Sequence, residues 1–312
     1  MKRYIYNRLL MLLPVLFGIS ILAFVLGVVS PGDPAEFALN QNGLDAPTEA
    51  QILAMRVELG LDKPIYMQYI HWLLQLFHGN LGNSYITGKD IISELLVRIP
   101  VTLKLASVAL IFATGMGISL GVLCSVYKES YLDKIILFIN NIILAVPGFW
   151  LALLMILIFS ELLKVLPTSG SETWRHFIMP AITISLSTAA AICSYTRSAL
   201  LKEFGKQYFI VAKLRSIKPY KLLLFYALPN SLPPIIALLG NYWASVLGGS
   251  VIAESIFAIP GISSMALEAI NMRDYPVLQA YVLITGCIMV IMTLLVDILM
   301  FYFNPKIRGG VH

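Results

Sequence analysis

The chain has 312 residues, of which 58% are apolar and 12% charged, about half the charge that usually clothes a water-facing surface. A mean hydropathy of +0.82 makes lipid the solvent over much of the protein, and excludes a soluble enzyme, a disordered chain and a disulfide scaffold. The net charge of +5 matters less than where the charge is placed.

About 20 apolar residues cross the hydrocarbon core. Six stretches reach that length, at 9–29, 101–126, 135–163, 178–197, 230–253 and 278–303. The first follows Lys2, Arg3 and Arg8, outruns a secretory signal core, and ends in Ser30-Pro31-Gly32-Asp33-Pro34 rather than a cleavage site, so it reads as a retained span. Residues 30–100 form a small external subdomain with two amphipathic helices, Glu49 to Leu59 and Ile65 to Phe77. The third span is interrupted by Pro147-Gly148, which reads either as a gating kink or as a static bend. The fourth, from Pro180 through Ala199, is short and rich in Ser, Thr and Ala, which suits close helix contact. Cys124, Cys193 and Cys287 sit in apolar runs without a CxxC pair and read as buried hydrophobes.

With the N-terminus inside, the inner segments hold 14 of the 22 Lys and Arg but only three acids, Glu129, Asp133 and Glu203. That bias fixes both termini in the cytoplasm. The expected organisation is a span at 1–29, the external subdomain at 30–100, a five-helix core at 101–303 and a cytoplasmic tail at 304–312. The core carries a long inner loop at 198–229.

That loop is the most informative part of the chain. Counting Arg197 at its edge, it bears seven basic residues against the single acid Glu203. Tyr208, Phe209, Val211, Ala212 and Leu214 interleave with polar positions, Pro219 halts the helix, and Leu222 to Leu228 resumes it. Helix, break and helix therefore lie across the cytoplasmic face, with apolar residues to spare for a membrane surface or a protein partner. The ordered set Gln207-Tyr208-Phe209-x-x-Ala212-Lys213-x-Arg215-Ser216 and Ala227-Leu228-Pro229-Asn230 resembles the coupling loop of binding-protein-dependent ABC importer permeases. The likeness is to the first permease of the peptide/nickel group. Gly32-Asp33-Pro34, Pro100-x-Thr102-Leu103, Leu166-Pro167-Thr168-Ser169-Gly170, Glu254-x-Ile256-Phe257-x-x-Pro260-Gly261-Ile262 and Arg273-Asp274-Tyr275-Pro276 extend it over nearly the whole chain. Ser216 and Ser263 stand where the family usually has glycine, so the loop is expected to turn differently there.

The resemblance implies an all-α polytopic membrane protein with six spans and the type I ABC permease fold, in the bacterial inner membrane. It implies as partners a homologous second permease, two cytoplasmic ATPases that bind ATP and Mg, and an extracytoplasmic substrate-binding protein. Gln207, Tyr208, Ala212, Lys213, Arg215 and Ser216 would form the ATPase-coupling surface, with Tyr208 and Ala212 one turn apart on the face that enters the ATPase. In the fifth span Gly240, Asn241, Ser245, Gly248 and Gly249 put small and polar groups along one side, suited to a translocation path, a permease–permease contact or tight helix packing.

No nucleotide-binding loop, HExxH, Gly-x-Ser-x-Gly or metal-ligand cluster is present in the sequence. No catalytic or metal residues, cofactor or nucleic-acid partner are therefore assigned to this chain. Intramembrane charge is nearly absent: Asp297 is the clearest case, with Lys104 and Glu161 near span ends. Asp297 is expected to have an interfacial structural role, such as capping or pairing with Lys306 or Arg308. A secondary carrier or channel, the rival reading, would need functional charges along the spans. For the substrate, the connection Gly170 to His176 and the short chain favour nickel or a metal chelate over short peptides.

Overall fold

The computed structural model describes residues 2–29, 32–41 and 47–303. The tail with Lys306 and Arg308, and hence the expected pairing of Asp297, lies outside them. The chain is helical throughout, with one isolated antiparallel bridge between Asn83 and Asp90 among the described residues. Among the described residues five helices are long and apolar enough to cross a membrane, and the number is six if one bent pair counts as a single span. Two compact units emerge, one from 7–101 with 261–290, the other from 1–6, 102–260 and 291–312.

In the first unit, α1 (Lys2–Val29) leads into α2 (Pro34–Gln41), α3 (Glu49–Glu58) and α4 (Ile65–Phe77). The two amphipathic helices thus form where their periodicity places them. Asp33 holds α3 through Arg56 Nε at 2.9 Å, and Phe37 stacks on Tyr85 at 5.3 Å. The loop before α5 (Ile91–Val126) is fastened by Asp274. Ser84 Oγ donates to its Oδ2 at 2.5 Å and the Tyr85 N–H to its Oδ1 at 3.1 Å. Burial, then the charges of Asp274 and Asp33, push the Tyr85 hydroxyl up to about 12. Asp274 itself closes a helix end. Arg273 takes φ +59° after α12 (Ile262–Met272), and the Asp274 N–H reaches the Ala269 carbonyl at 2.8 Å, the hydrogen bond of a Schellman cap.

The second unit is built around α8 (Ile178–Phe204). The least hydrophobic candidate span is also the most buried, with 67% of its apolar stretch covered. Its small residues let neighbours close in, as packing between helices in lipid requires. Gly117 and Gly121 of α5 lie against it. A Cβ on Gly117 would sit 2.7 Å from Ile192 Cβ, and one on Gly121 2.6 Å from Thr196 Cβ and 2.7 Å from the Cys193 carbonyl. Several of its hydroxyls return to their own helix: Thr183 Oγ1 donates to the Met179 carbonyl at 2.9 Å and Ser194 Oγ to that of Ala190 at 3.1 Å.

The third apolar stretch is two helices rather than one kinked helix. α6 (Tyr131–Ala145) and α7 (Gly148–Met155, extended by a π-helical segment Ile156–Leu162) meet at 104°. Val146 is extended, as a residue before proline prefers, and Pro147 caps α7 from outside its first turn. After α8 come α9 (Gln207–Leu214), the short α10 (Pro219–Lys221), a π-helical turn Leu222–Ala227, α11 (Leu228–Ile256) and finally α13 (Tyr275–Phe303).

Candidate functional site

The cytoplasmic end of α8 carries the lone acid of the basic loop. A carboxylate at a helix C-terminus meets the negative end of the dipole, and Glu203 is buried as well. Two donors offset both costs. Lys206 Nζ lies 2.6 Å from Oε1, and the Tyr208 hydroxyl donates to Oε2 at 2.7 Å. Phe204 and Phe209 then close ring on ring at 4.9 Å. Burial, followed by the hydrogen bond and charge of Glu203, pushes the Tyr208 hydroxyl up to about 12. The start of α9 is thereby locked to the end of α8 through one carboxylate.

This lock corrects the expected facing of α9. Tyr208 and Ala212 do share a face one turn apart, but it turns into the chain: Ala212 is buried, and α9 packs on α8 and on the Leu222–Ala227 turn. The outward stripe is Gln207, Ile210, Val211 and Leu214, spaced i, i+3, i+4, i+7, with Leu214 79% exposed. Lys213, Arg215 and Ser216 are also exposed beside it. Ser216 does not make the loop turn differently. It takes the left-handed conformation itself, at φ +57°, its N–H bonded to the Lys213 carbonyl at 3.0 Å. Ser263 meets no such demand, because it lies within the first turn of α12 after Gly261.

Two buried carboxylates escaped the reading of the sequence. Asp133, at the start of α6, receives Arg197 of α8 through Nε at 2.8 Å and Nη2 at 2.7 Å, a two-pronged pair. Glu254, inside α11, accepts from Thr102 Oγ1 at 2.7 Å and is 1% exposed. The signal was present, since both Glu254 and Thr102 fall in ordered motifs, but each partner lies far along the chain from the other.

The small and polar residues of α11 divide. Gly240 is a packing residue, since a Cβ there would lie 2.8 Å from Val296 Cγ1, whereas a Cβ at Gly249 would meet Ile184 Cγ2 at an ordinary 3.8 Å. Asn241 and Gly248, seven residues apart, are exposed and share another face of the helix. Ser245 falls on that same face by spacing, its side chain outside what the structure describes. Pro147 and Gly148 are exposed at the α6–α7 corner. Nothing stands within 4 Å of a Cβ added at Gly148, so the proline rather than the glycine makes the break. Lys104 Nζ sits 4.4 Å over the Phe177 ring. Among the described residues no group of three His, Cys, Asp or Glu side chains is arranged to hold a metal ion.

Residues 113–309 match the family described as binding-protein-dependent transport system inner membrane component, and residues 1–106 match its N-terminal companion. The chain belongs to this permease family. Along 309 residues the permease is 31% identical to the glutathione transport system permease protein GsiC of Escherichia coli O6:H1 (strain CFT073), covering 99% of both chains. To the GsiC protein of Pectobacterium atrosepticum (strain SCRI 1043) it is 33% identical over 308 residues, again 99% of each. Its fold is shared with an inward-facing structure of the MetNI methionine ABC transporter. That match has a TM-score of 0.60 at 16% identity and covers 69% of this chain and 98% of the other. The permease is thus a multi-pass transport component of an ABC importer in the bacterial inner membrane.

Proposed function

We propose that this permease and a homologous second permease form the path of an importer for short peptide-like solutes of the glutathione class. Two cytoplasmic ATPases drive it and an external binding protein supplies the solute. The observation that carries the reading is the likeness to glutathione permeases over 99% of both chains. It also removes the weight of chain length, which favoured nickel, since those relatives have the same length. On this reading Asn241 and Gly248 belong to the path or to the permease–permease contact.

Force enters at the outward stripe of α9. Ile210, Val211 and Leu214 offer an apolar ridge to an ATPase groove, with Lys213 and Arg215 at its rim. Because Glu203 clamps α9 to α8, closure of the ATPases on ATP moves the two helices together as a rigid body. The assembly then alternates between two states that the nucleotide biases.

Two experiments test this. Cells with and without the gene are offered labelled glutathione, a labelled dipeptide and nickel. Loss of peptide or glutathione uptake is expected, whereas loss of nickel uptake alone would overturn the substrate class. Leu214→Glu should leave the chain folded and membrane-inserted but unable to retain the ATPases on purification. Full retention with normal uptake would remove the stripe from the contact. Ala212→Glu cannot serve here, because it buries a charge inside this chain.

A further inference from the structure

Helix α4 belongs by sequence to the connection outside the membrane, yet its contacts are with the interior of a span. The Tyr69 hydroxyl meets Ser20 Oγ of α1 at 2.7 Å. Ser20 spends its only proton on the Phe17 carbonyl at 2.8 Å, so Tyr69 is the donor. The Tyr69 ring packs edge-on against Phe17 at 6.4 Å and Phe24 at 5.3 Å, and Trp72 packs on Phe24 at 5.8 Å. The apolar run of α1 is 20 residues, Leu10–Val29, which at 1.5 Å per residue just fills a hydrocarbon core of about 30 Å. Ser20 therefore lies about 13 Å below the outer end of that run.

Three faces of α4 follow from the 3.6-residue period. Tyr69 and Trp72 meet α1, and Leu76 falls on the same face by spacing. Gln68, His71 and Gln75 line a cleft of about 670 Å³ together with Asp33, Arg56 and Lys63, and Gln68 Nε2 donates to the Lys63 carbonyl at 2.7 Å. The third face, Tyr66, Ile70, Leu74 and Phe77, is apolar and more than half exposed throughout. It carries no charge. We propose that α4 is an in-plane membrane helix, sunk in the outer leaflet with Tyr66, Ile70, Leu74 and Phe77 against acyl chains and its glutamine–histidine face toward the aqueous cleft. The occupant of the free face is lipid because the helix is fastened to α1 at a depth where the surroundings of α1 are hydrocarbon. The division into one polar and one broad apolar face is that of an interfacial helix. This does not depend on which solute the permease carries.

Quenching of a fluorophore from two sides tests it. In a chain freed of Cys124, Cys193 and Cys287 that still supports uptake, Ile70→Cys and Leu74→Cys are compared with His71→Cys and Gln75→Cys. Each is labelled with bimane in the whole importer, reconstituted in phosphatidylcholine–phosphatidylglycerol vesicles. Doxyl-labelled phosphatidylcholine should quench the first pair several-fold more than the second, and aqueous iodide should do the reverse. Equal iodide quenching of all four would place α4 in water. Protection of Ile70 and Leu74 from both quenchers would mean a protein, such as the second permease, covers them. Either result overturns the proposal. Should a labelled variant fail to assemble, Leu74→Trp with brominated lipid, the four native tryptophans replaced by Phe, gives the same reading with an apolar side chain.

Discussion

Helices α8 and α13 invert the rule of soluble proteins. The mean hydropathy of the α8 span is 1.7 and 67% of it is buried, whereas the α13 span reaches 2.6 with 6% buried. In water the more apolar helix would occupy the core. In lipid the acyl chains already satisfy it, so the interior goes to the helix whose small residues permit close contact. Serine and threonine, which lower the score of a span, are what made α8 the centre.

The contrast can be broken from the α8 side, with effects that should shrink in a stated order. Arg197→Ala leaves Asp133 buried and unpaired and should cost about 3–5 kcal/mol, read as failure to accumulate in the membrane; the double change with Asp133→Asn should recover much of it. Gly121→Val drives a side chain into the Cys193 carbonyl and Thr196. A cost near the upper end of about 1–3 kcal/mol is expected, as a lowered melting point in detergent. Tyr208→Phe removes one of two donors to Glu203, for about 1.5 kcal/mol, and should free α9 to exchange its amide hydrogens faster. The phenol must stay protonated to donate, and its folded value is raised from 10 to about 12. Its contribution is therefore complete below pH 10 and lost as the pH climbs toward 12, a window absent from the Phe variant. On the α13 side, Leu299→Ala trims an exposed side chain and should stay within about 0.5 kcal/mol of the parent. A large loss there would mean that this face is covered in the assembled importer.

The spans, the break at Pro147 and the helix–break–helix order of the inner loop were legible because hydropathy and proline act locally. What stayed hidden depended on direction and distance. Periodicity puts Tyr208 with Ala212 and Ile210 with Leu214, but both faces are apolar, and only the pull of Glu203 decides which turns inward. Glu254 and Thr102 are 152 residues apart, so nothing near either announces the other. Ser216, at φ +57°, departs from expectation for a different reason. A left-handed serine costs about 1–2 kcal/mol, which tertiary contacts can sustain, so the absence of glycine did not forbid the turn.

The corner between α6 and α7 has a consequence for where water goes. Asp133 lies opposite Arg197 and Asn140 opposite Ala190, so α6 runs antiparallel along α8. Its 15 residues advance about 22 Å, short of the far side of the bilayer. The backbone therefore opens at Val146 and Pro147 while still at membrane depth. Acyl chains offer nothing to a carbonyl released from its ladder, and such a gap survives only against protein or in a wet cavity. On the proposed function, the surface around Pro147 and Gly148 would therefore be closed to lipid and would face a water-filled lumen or a second permease.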